Sequence, residues 1–298
     1  MIRLAVIYLL AWFSITPSAS AQSCQANGVA VQILGSGGPR MSRNRASASY
    51  LVWIDGRSRI LVDAGGGTFL RFGQADARIE DLSLIAISHL HPDHVSDLPA
   101  LLWGDMARKA RLAISGPSGN DAVPSFPTFL NHLFDQKNGA FQVLAGTLGG
   151  SSGRGVPLEV AVVDVTKGEA STVLGQQDVA VTAIGIPHGT IPALAYRVRA
   201  QNATIVFSTD QTGTNPRFVD FARRADVLVM HLAIAAGATS PLHASPDVVA
   251  RVARDAQVGR LVLSHIGQFD LEPAVADVKK YYAGPLTVGA DLQCTPVP

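Results

Sequence analysis

The chain has 298 residues, of which 47% are hydrophobic, and its 24 basic and 23 acidic residues give a net charge of +1. This length and composition suit one large buried core or two smaller ones. Basic and acidic residues are interspersed without a polybasic run, so we expect no nucleic acid partner.

The first residues have the pattern of a secretory signal peptide. One basic residue, Arg3, precedes an apolar run from Leu4 to Ile15, and an A-x-A ending follows at 19–21. The run is shorter than the roughly 20 residues that a membrane span needs. We therefore expect cleavage after Ala21, with 1–21 as signal peptide. Residues 22–298 would form a single periplasmic or secreted domain that is not attached to the membrane after cleavage. A retained N-terminal anchor is the alternative.

The two cysteines of the chain are Cys24 and Cys294. In an exported protein, an even pair predicts a disulfide, here joining the two ends of the mature chain. Two free thiols are the alternative. Neither cysteine is near a histidine cluster in the sequence, so we do not expect a thiolate metal ligand.

The first half of the chain begins with β-strand patterns. Strands are predicted at 29–34, 49–54, 59–62 and 82–87, and Asp55-Gly56 is a hairpin turn signal. The Gly-rich loop at 35–39 is not followed by a nucleotide-binding P-loop pattern. Helical patterns follow at 95–103 and 126–136, and His132 in the second of these is expected at the surface.

The strand at 82–87 leads into a cluster of four potential metal ligands, His89, His91, Asp93 and His94. Residues two apart in extended backbone point to the same side, so His89 and His91 can share an ion. Asp93 and His94 are adjacent and diverge, so they can serve a second ion. A loop that is merely rich in histidine is the alternative.

Apolar strands in the second half also end at polar residues. These strand-end residues are His188, Asp210, His231 and His265. Loops at one end of a packed sheet are where open α/β architectures place their sites. A helix is predicted from Pro246 to about Gln257, with Ser245 as its N-cap, and His243 lies in the loop before it.

The H-x-H-x-D-H stretch after a hydrophobic strand resembles the metallo-β-lactamase fold hydrolases, in particular their arylsulfatase-like and tRNase Z-like branch. The resemblance implies an αβ/βα sandwich of two mixed β-sheets flanked by helices. It also implies two zinc ions, with manganese or iron left open, and a supporting role for Asp63. The implied ligands are His89, His91 and His188 for the first ion, Asp93, His94 and His265 for the second, and Asp210 for both.

The same resemblance suggests catalytic roles for Asp93, His231 and His243. Loop histidines bonded only to backbone groups are the alternative for His231 and His243. In tRNase Z a His-Glu-Ala-Thr motif begins at the position of His231, but here Leu232 replaces the glutamate. The Gly/Ser loop at 148–155 has one charge, Arg154, where tRNase Z often carries a basic arm. Both departures argue against a tRNA substrate.

We therefore expect an exported hydrolase that uses a metal-bridging hydroxide against small anionic esters, such as an aryl sulfate or a phosphodiester. A lactonase or β-lactamase-type hydrolase is one alternative, and an inactive metal-binding protein is another. A homodimer is left open.

Overall fold

The computed structural model describes residue 24 and residues 27–104, 110–150 and 153–298. The predicted signal peptide lies outside these residues. In chain order, the strands are β1 (Val29–Gly35), β2 (Ser49–Ile54), β3 (Arg57–Val62), β4 (Leu84–Ala86), β5 (Leu112–Pro117), β6 (Leu158–Val163), β7 (Ser171–Gly175), β8 (Val179–Ile186), β9 (Ala193–Ala200), β10 (Ala203–Phe207), β11 (Val227–His231), β12 (Arg260–Ser264), β13 (Leu286–Val288) and β14 (Cys294–Val297). The helices are α1 (Thr68–Gln74), α2 (Pro92–Val95), α3 (Leu98–Gly104), α4 (Phe126–Phe134), α5 (Pro216–Phe221), α6 (Pro246–Asp255) and α7 (Leu271–Tyr281).

The strands form two seven-stranded sheets, ordered β14-β1-β2-β3-β4-β5-β6 and β13-β12-β11-β10-β9-β8-β7. Each sheet is mixed. In the first sheet the pairs from β14 to β3 are antiparallel and those from β3 to β6 are parallel. In the second sheet the pairs from β13 to β10 are parallel and those from β10 to β7 are antiparallel.

The core lies between the two sheets. Val31 and Val52 from the first sheet belong to the same buried cluster as Tyr196 and Phe207 from the second. Burying one such large apolar side chain is worth about 1.5–3 kcal/mol. Helices α6 and α7 belong to a second cluster with the second sheet, and α3 and α4 to a third with the first sheet. The predicted αβ/βα sandwich is therefore confirmed.

The predicted helix at 95–103 is interrupted in the structure. Helix α2 ends at Val95 and α3 begins at Leu98. Between them, the Asp97 N–H donates to the carbonyl of Ala64 at 2.9 Å, and the Asp97 carboxylate accepts the N–H groups of Gly67 and Phe69 at 2.9 Å each. These bonds turn Asp97 toward the start of α1, so the helix cannot continue through it.

The predicted disulfide is confirmed, because Cys24 and Cys294 are bonded with their Cα atoms 5.6 Å apart. Cys294 opens β14, and β14 pairs with β1 at the edge of the first sheet. Both ends of the described chain are thereby held at that edge. Within the described ranges, no helix combines the length and the apolar character that crossing a membrane requires.

Candidate metal centre

Five non-glycine residues that follow strands adopt left-handed backbone conformations, and three of them lie near the predicted ligands. These three are Asp63 (φ 59°) after β3, Thr209 (φ 48°) after β10 and His265 (φ 47°) after β12. Such conformations are uncommon for residues other than glycine and are concentrated at functional sites. Here they turn the chain sharply at one end of the two sheets, where the predicted ligands lie.

Three imidazoles from the two halves of the chain form a first group. The His89 Nε2 and His91 Nδ1 atoms are 3.0 Å apart, and the His188 Nε2 atom lies 3.4 Å from the same His91 nitrogen. The three ligand atoms lie within 4.8 Å of one another. This group consists of the residues predicted for the first ion.

A second group contains Asp93, His94 and His265, again with ligand atoms within 4.8 Å of one another. The Asp93 Oδ2 atom lies 3.2 Å from His265 Nε2 and 3.6 Å from His94 Nε2. This group consists of the residues predicted for the second ion.

The Asp210 carboxylate lies between the two groups. Its Oδ2 atom is 3.2 Å from His265 Nε2, 3.6 Å from His94 Nε2 and 4.0 Å from His188 Nε2. This is the position that a bridging ligand would take. The structure thus brings all seven predicted ligand residues together, while their binding of metal stays a prediction.

Several buried polar atoms of this cluster have no hydrogen-bond partner among the described residues. They are His94 Nε2, His265 Nδ1, His243 Nδ1 and Asp210 Oδ1. A buried polar atom without a partner costs about 1–3 kcal/mol. Bound cations would satisfy His94 Nε2 and Asp210 Oδ1, and a set of imidazoles and carboxylates is suitable for a divalent transition metal. The residues present therefore fit two metal ions.

Burial and mutual charge set the protonation of the cluster. Burial lowers the pKa of His89 well below its usual value, which leaves its ring neutral and able to bind metal. For His94, burial also disfavours the charged form, but the carboxylates of Asp63 and Asp210 outweigh it and raise the pKa. Burial alone would raise the pKa of Asp210, but His265 and His94 hold it well below its usual range.

Asp63 supports the first half of the cluster, as the sequence predicted. One of its oxygens accepts the backbone N–H of Ser88 at 2.7 Å. The other accepts the Ser88 hydroxyl at 2.9 Å and the Nδ1–H of His94 at 2.8 Å. The Ser88 oxygen, 2.9 Å from His89 Nδ1, can accept that N–H in turn. No role was predicted for Ser88, although its hydroxyl directly before the histidine cluster could have suggested one.

Backbone carbonyl groups support the second half of the cluster. His188 Nδ1 donates to the carbonyl of Leu242 at 3.0 Å, which leaves Nε2 free to face the cluster. His231 Nδ1 donates to the carbonyl of Thr209 at 2.8 Å. Its Nε2 accepts the N–H of Ala244 at 3.0 Å.

Both ring nitrogens of His231 are therefore occupied, and burial lowers its pKa to about 3. Through Ala244 this side chain contacts the 240–245 loop, and the same N–H also donates to the carbonyl of Gln211 at 2.8 Å. These contacts suit a positioning role, while the catalytic role that the resemblance suggested for His231 stays a prediction.

His243 lies at the edge of the cluster, with 15% of its side chain exposed and its Nδ1 atom 3.9 Å from Asp210 Oδ2. The hydroxyl of Ser240 accepts the N–H groups of Leu242 and His243, and His231 holds Ala244 on the other side. Burial lowers the pKa of His243 to about 4. The loop thus fixes His243 beside the cluster without the glutamate that Leu232 replaces.

Comparison with known proteins confirms the resemblance inferred from the sequence. The family model described as "Beta-lactamase superfamily domain" matches residues 58–266. A protein of Methanosarcina acetivorans named Ribonuclease Z is 28% identical over 308 aligned positions, which cover 90% of this chain and 98% of the relative.

Solved structures show the same fold. A metallo-β-lactamase fold protein of Bacillus subtilis has a TM-score of 0.71 at 19% identity. The match covers 90% of this chain and 98% of the Bacillus chain. The short form of human tRNase Z has a TM-score of 0.69 at 19% identity. That match covers 90% of this chain and 99% of the tRNase Z chain.

These comparisons contradict two expectations from the sequence. The curated relative that aligns over nearly its whole length is named a ribonuclease, and a tRNase Z is among the similar structures. The expected substrate, a small anionic ester such as an aryl sulfate, is therefore wrong, as is the expected absence of a nucleic acid partner. The argument from net charge failed because a total over the chain does not report where the cations lie.

Proposed function

This chain belongs to the β-lactamase superfamily domain family, and we propose that it cleaves phosphodiester bonds in RNA as a ribonuclease Z-like enzyme. The family and the relatives make it a metal-dependent hydrolase. One observation carries the proposal: the seven converging ligand residues lie in a chain that aligns with a named Ribonuclease Z over 90% of its own length and 98% of the relative's.

We propose zinc as the metal, because imidazole and carboxylate ligands together suit it. When bound, two such ions lower the pKa of water and offset the negative charge of a phosphate. His89, His91 and His188 would hold one ion, Asp93, His94 and His265 the other, and Asp210 both. Manganese and iron are distinguished from zinc by elemental analysis of the purified protein.

The protein's own contribution to the reaction is positioning and proton donation. Asp63 and Ser88 keep His89 and His94 in the tautomer that points Nε2 at the site. Burial keeps the ring of His243 neutral, so at the partly exposed edge its N–H is placed to donate a hydrogen bond to the leaving oxygen of the substrate. The negative charge of a bound phosphate would raise the pKa of His243 and allow it to donate a proton as well. His231 and Ser240 fix the loop that carries it.

We also propose that residues 1–21 are a signal peptide and that residues 22–298 form one exported hydrolase domain. The disulfide between Cys24 and Cys294 supports this, because disulfides persist in oxidising compartments. Mass spectrometry of the protein from its native host would test it. We expect a mature chain that starts at Gln22 and keeps the disulfide, and its RNA substrate would then lie outside the cytoplasm, where tRNA precursors are not made. A retained N-terminus would contradict export and leave tRNA precursors as the substrate in the cell.

The test of the substrate is cleavage of a tRNA precursor with a 3′ extension by the zinc-loaded protein. We expect one cut that removes the extension, no cut after chelation of the metal, and no cut by an Asp210→Ala variant. The same tRNA without an extension is the control substrate. Inactivity toward RNA, combined with hydrolysis of a bis-aryl phosphate by the same preparation, would refute the proposal.

A further inference from the structure

One predicted metal ligand, His265, lacks the hydrogen bond that orients the ring of a histidine ligand. The Nδ1 atoms of His89, His94 and His188 each have a hydrogen-bond partner. The Nδ1 atom of His265 has none among the described residues. Its backbone is also left-handed, a conformation that persists only where neighbouring contacts hold it. Contacts of another kind must therefore fix this ligand.

The loop at 36–46, which follows β1, supplies such contacts. The N–H of Ile266, the residue after His265, donates to the carbonyl of Ser36 at 2.8 Å. The backbone of Gly38 lies against the imidazole, where an added Cβ atom would be only 2.7 Å from His265 Cε1. Such close packing leaves the ring little room to turn. The orientation of His265 thus depends on where this loop lies.

The carboxylate of Asp291 holds both ends of the 36–46 loop. Its Oδ1 atom accepts the N–H of Ser36 at 3.0 Å and the hydroxyl of the same residue at 2.7 Å. Its Oδ2 atom accepts the N–H of Ala46 at 2.7 Å and the Nε–H of Arg71 at 3.1 Å. Only 6% of the Asp291 side chain is exposed, and hydrogen bonds to a buried charged group are strong. One side chain therefore fixes the shape of the loop.

The segment that carries Asp291 is itself bonded to both sheets. The N–H of Gly289 donates to the carbonyl of Leu263 in β12 at 2.7 Å. The N–H of Leu292 donates to the carbonyl of Ile33 in β1, also at 2.7 Å. The carboxylate therefore has a defined position relative to the end of β12, where the candidate metal centre lies.

We propose that Asp291 is a positioning residue for the second metal ion, because it fixes the imidazole of His265 through the 36–46 loop. The His265 Nε2 atom lies 3.2 Å from an oxygen of Asp93 and 3.2 Å from an oxygen of Asp210, so a small rotation of the ring would take it out of the ligand group. Asp291 itself belongs to none of the groups of candidate ligands. This inference rests on the proposed metal-dependent function.

Calorimetric titration of the metal-free protein with zinc tests the inference without any turnover. Asp291→Asn keeps the size of the side chain, but one of its two atoms can no longer accept the N–H and O–H groups that face it. We expect the affinity for the second zinc ion to fall about 10–100-fold, the usual effect of losing a group that orients a ligand. The affinity for the first ion should not change. An unchanged affinity for the second ion would overturn the inference.

A double-mutant cycle shows whether the effect passes through His265. In a His265→Ala background, Asp291→Asn should cause no further loss of affinity for the second ion, because the ligand that it positions is absent. In a His188→Ala background, which removes a predicted ligand of the first ion, Asp291→Asn should keep its full effect. Equal losses in the two backgrounds would mean that Asp291 acts on the fold as a whole, which overturns the inference.

The matched control is Asp226→Asn. The Asp226 carboxylate also holds the backbone, because it accepts the N–H of Thr204 at 2.7 Å, but it precedes β11 at the opposite end of the sheet from the predicted ligands. This variant should lower the free energy of unfolding and leave both zinc affinities unchanged. If it weakens the second ion as much as Asp291→Asn does, the loss reports stability alone and the inference is wrong.

Gly38→Ala provides an independent test and gives the answer if Asp291→Asn does not fold. This variant keeps every bond of Asp291 but places a methyl group 2.7 Å from His265 Cε1, closer than two carbon atoms normally approach. We expect the ring to be displaced and the affinity for the second zinc ion to fall. An unchanged affinity in Gly38→Ala would show that the loop does not orient His265.

The wild-type protein separates a failure of this inference from a failure of the proposed function. If it binds two zinc ions and cleaves the tRNA precursor, while Asp291→Asn binds the second ion equally well, the positioning role is wrong and the RNA substrate stands. If it binds two zinc ions but cleaves no RNA, the substrate is wrong and the zinc titrations still decide the role of Asp291. If it binds fewer than two zinc ions, both proposals are wrong.

Discussion

The two halves of the molecule supply the predicted metal ligands in different ways. The first half provides four of them from a single stretch of six residues, 89–94, directly after β4. The second half provides His188, Asp210 and His265 from the ends of β8, β10 and β12. The first set is close in sequence before folding, whereas the second set converges only when the second sheet has formed.

The supports of the two sets differ in the same way. In the first half a side chain, the buried carboxylate of Asp63, holds Ser88 and His94. In the second half the carbonyl group of Leu242 holds His188. A single substitution can therefore remove the support of His94, whereas the support of His188 belongs to the backbone.

Among the substitutions considered, we expect the largest loss of activity at Asp210, which lies between the predicted ligands of the two halves. Asp210→Ala removes the carboxylate that lies between the two ligand groups, so we expect the loss of about one metal ion per chain. Cleavage of the tRNA precursor should fall by roughly 10³-fold or more, since a catalytic metal contributes several kcal/mol. Elemental analysis and initial rates measure the two effects, with Asp247→Ala on α6 as the control. Full metal content in Asp210→Ala would refute the bridging role.

The next largest effect is expected at His243, which belongs to the second half but to neither ligand group. His243→Ala should lower turnover by about 10²–10⁴-fold, the usual range for a general acid, and leave the metal content unchanged. The loss should be smaller for a nitrophenyl phosphodiester, whose leaving group needs no proton. An equal loss with RNA and with the nitrophenyl ester would instead mean that His243 orients the substrate.

A matched pair of variants compares the two kinds of support directly. Asp63→Asn should weaken metal binding by about 10–100-fold, the usual effect of losing a group that orients a ligand. Leu242→Ala keeps the carbonyl that accepts the His188 N–H, so it should change metal affinity much less. Competition with a zinc-binding dye measures both affinities. Equal losses in the two variants would contradict the distinction between side-chain and backbone supports.

The smallest effect concerns the pH dependence of stability. Burial lowers the pKa of His231 to about 3, whereas an unfolded histidine titrates near 6.5. Below pH 6.5 the unfolded chain therefore binds a proton that the folded chain does not, so this residue reduces stability as the pH falls. Between pH 7.5 and pH 5 the change is roughly 2 kcal/mol.

Urea unfolding of the metal-free protein measures this contribution. The wild-type protein should lose roughly 2 kcal/mol more over that pH range than His231→Gln, whose side chain does not titrate. His132→Gln, at an exposed position on α4, should follow the wild-type curve. Parallel curves for wild type and His231→Gln would show that burial of this imidazole has no such effect.

The sequence predicted the first half of the site best, because its ligands and the strand before them are neighbours in the chain. The ends of β8, β10, β11 and β12 were also predictable from their apolar runs. It could not show that His231 turns both nitrogens toward backbone groups of Thr209 and Ala244, since those contacts depend on tertiary structure.

Other elements were not predicted for identifiable physical reasons. Strands β7 and β13 are short and only partly buried, so their sequences lack a clear apolar alternation. The break between α2 and α3 depends on bonds from Asp97 to residues 64–69, about 30 positions earlier. The nucleic acid partner was excluded on net charge, a total that does not show how charges are distributed over the folded surface.

The bond between Cys24 and Cys294 spans 270 positions and turns nearly the entire described chain into a covalent ring. A protease that cuts one exposed loop of a linear protein produces two fragments that can diffuse apart. Here a single cut only opens the ring, and the pairing of β1 with β14 still lies beside the remaining link. The cut protein therefore stays one molecule, and its pieces separate only after a second cut or after reduction.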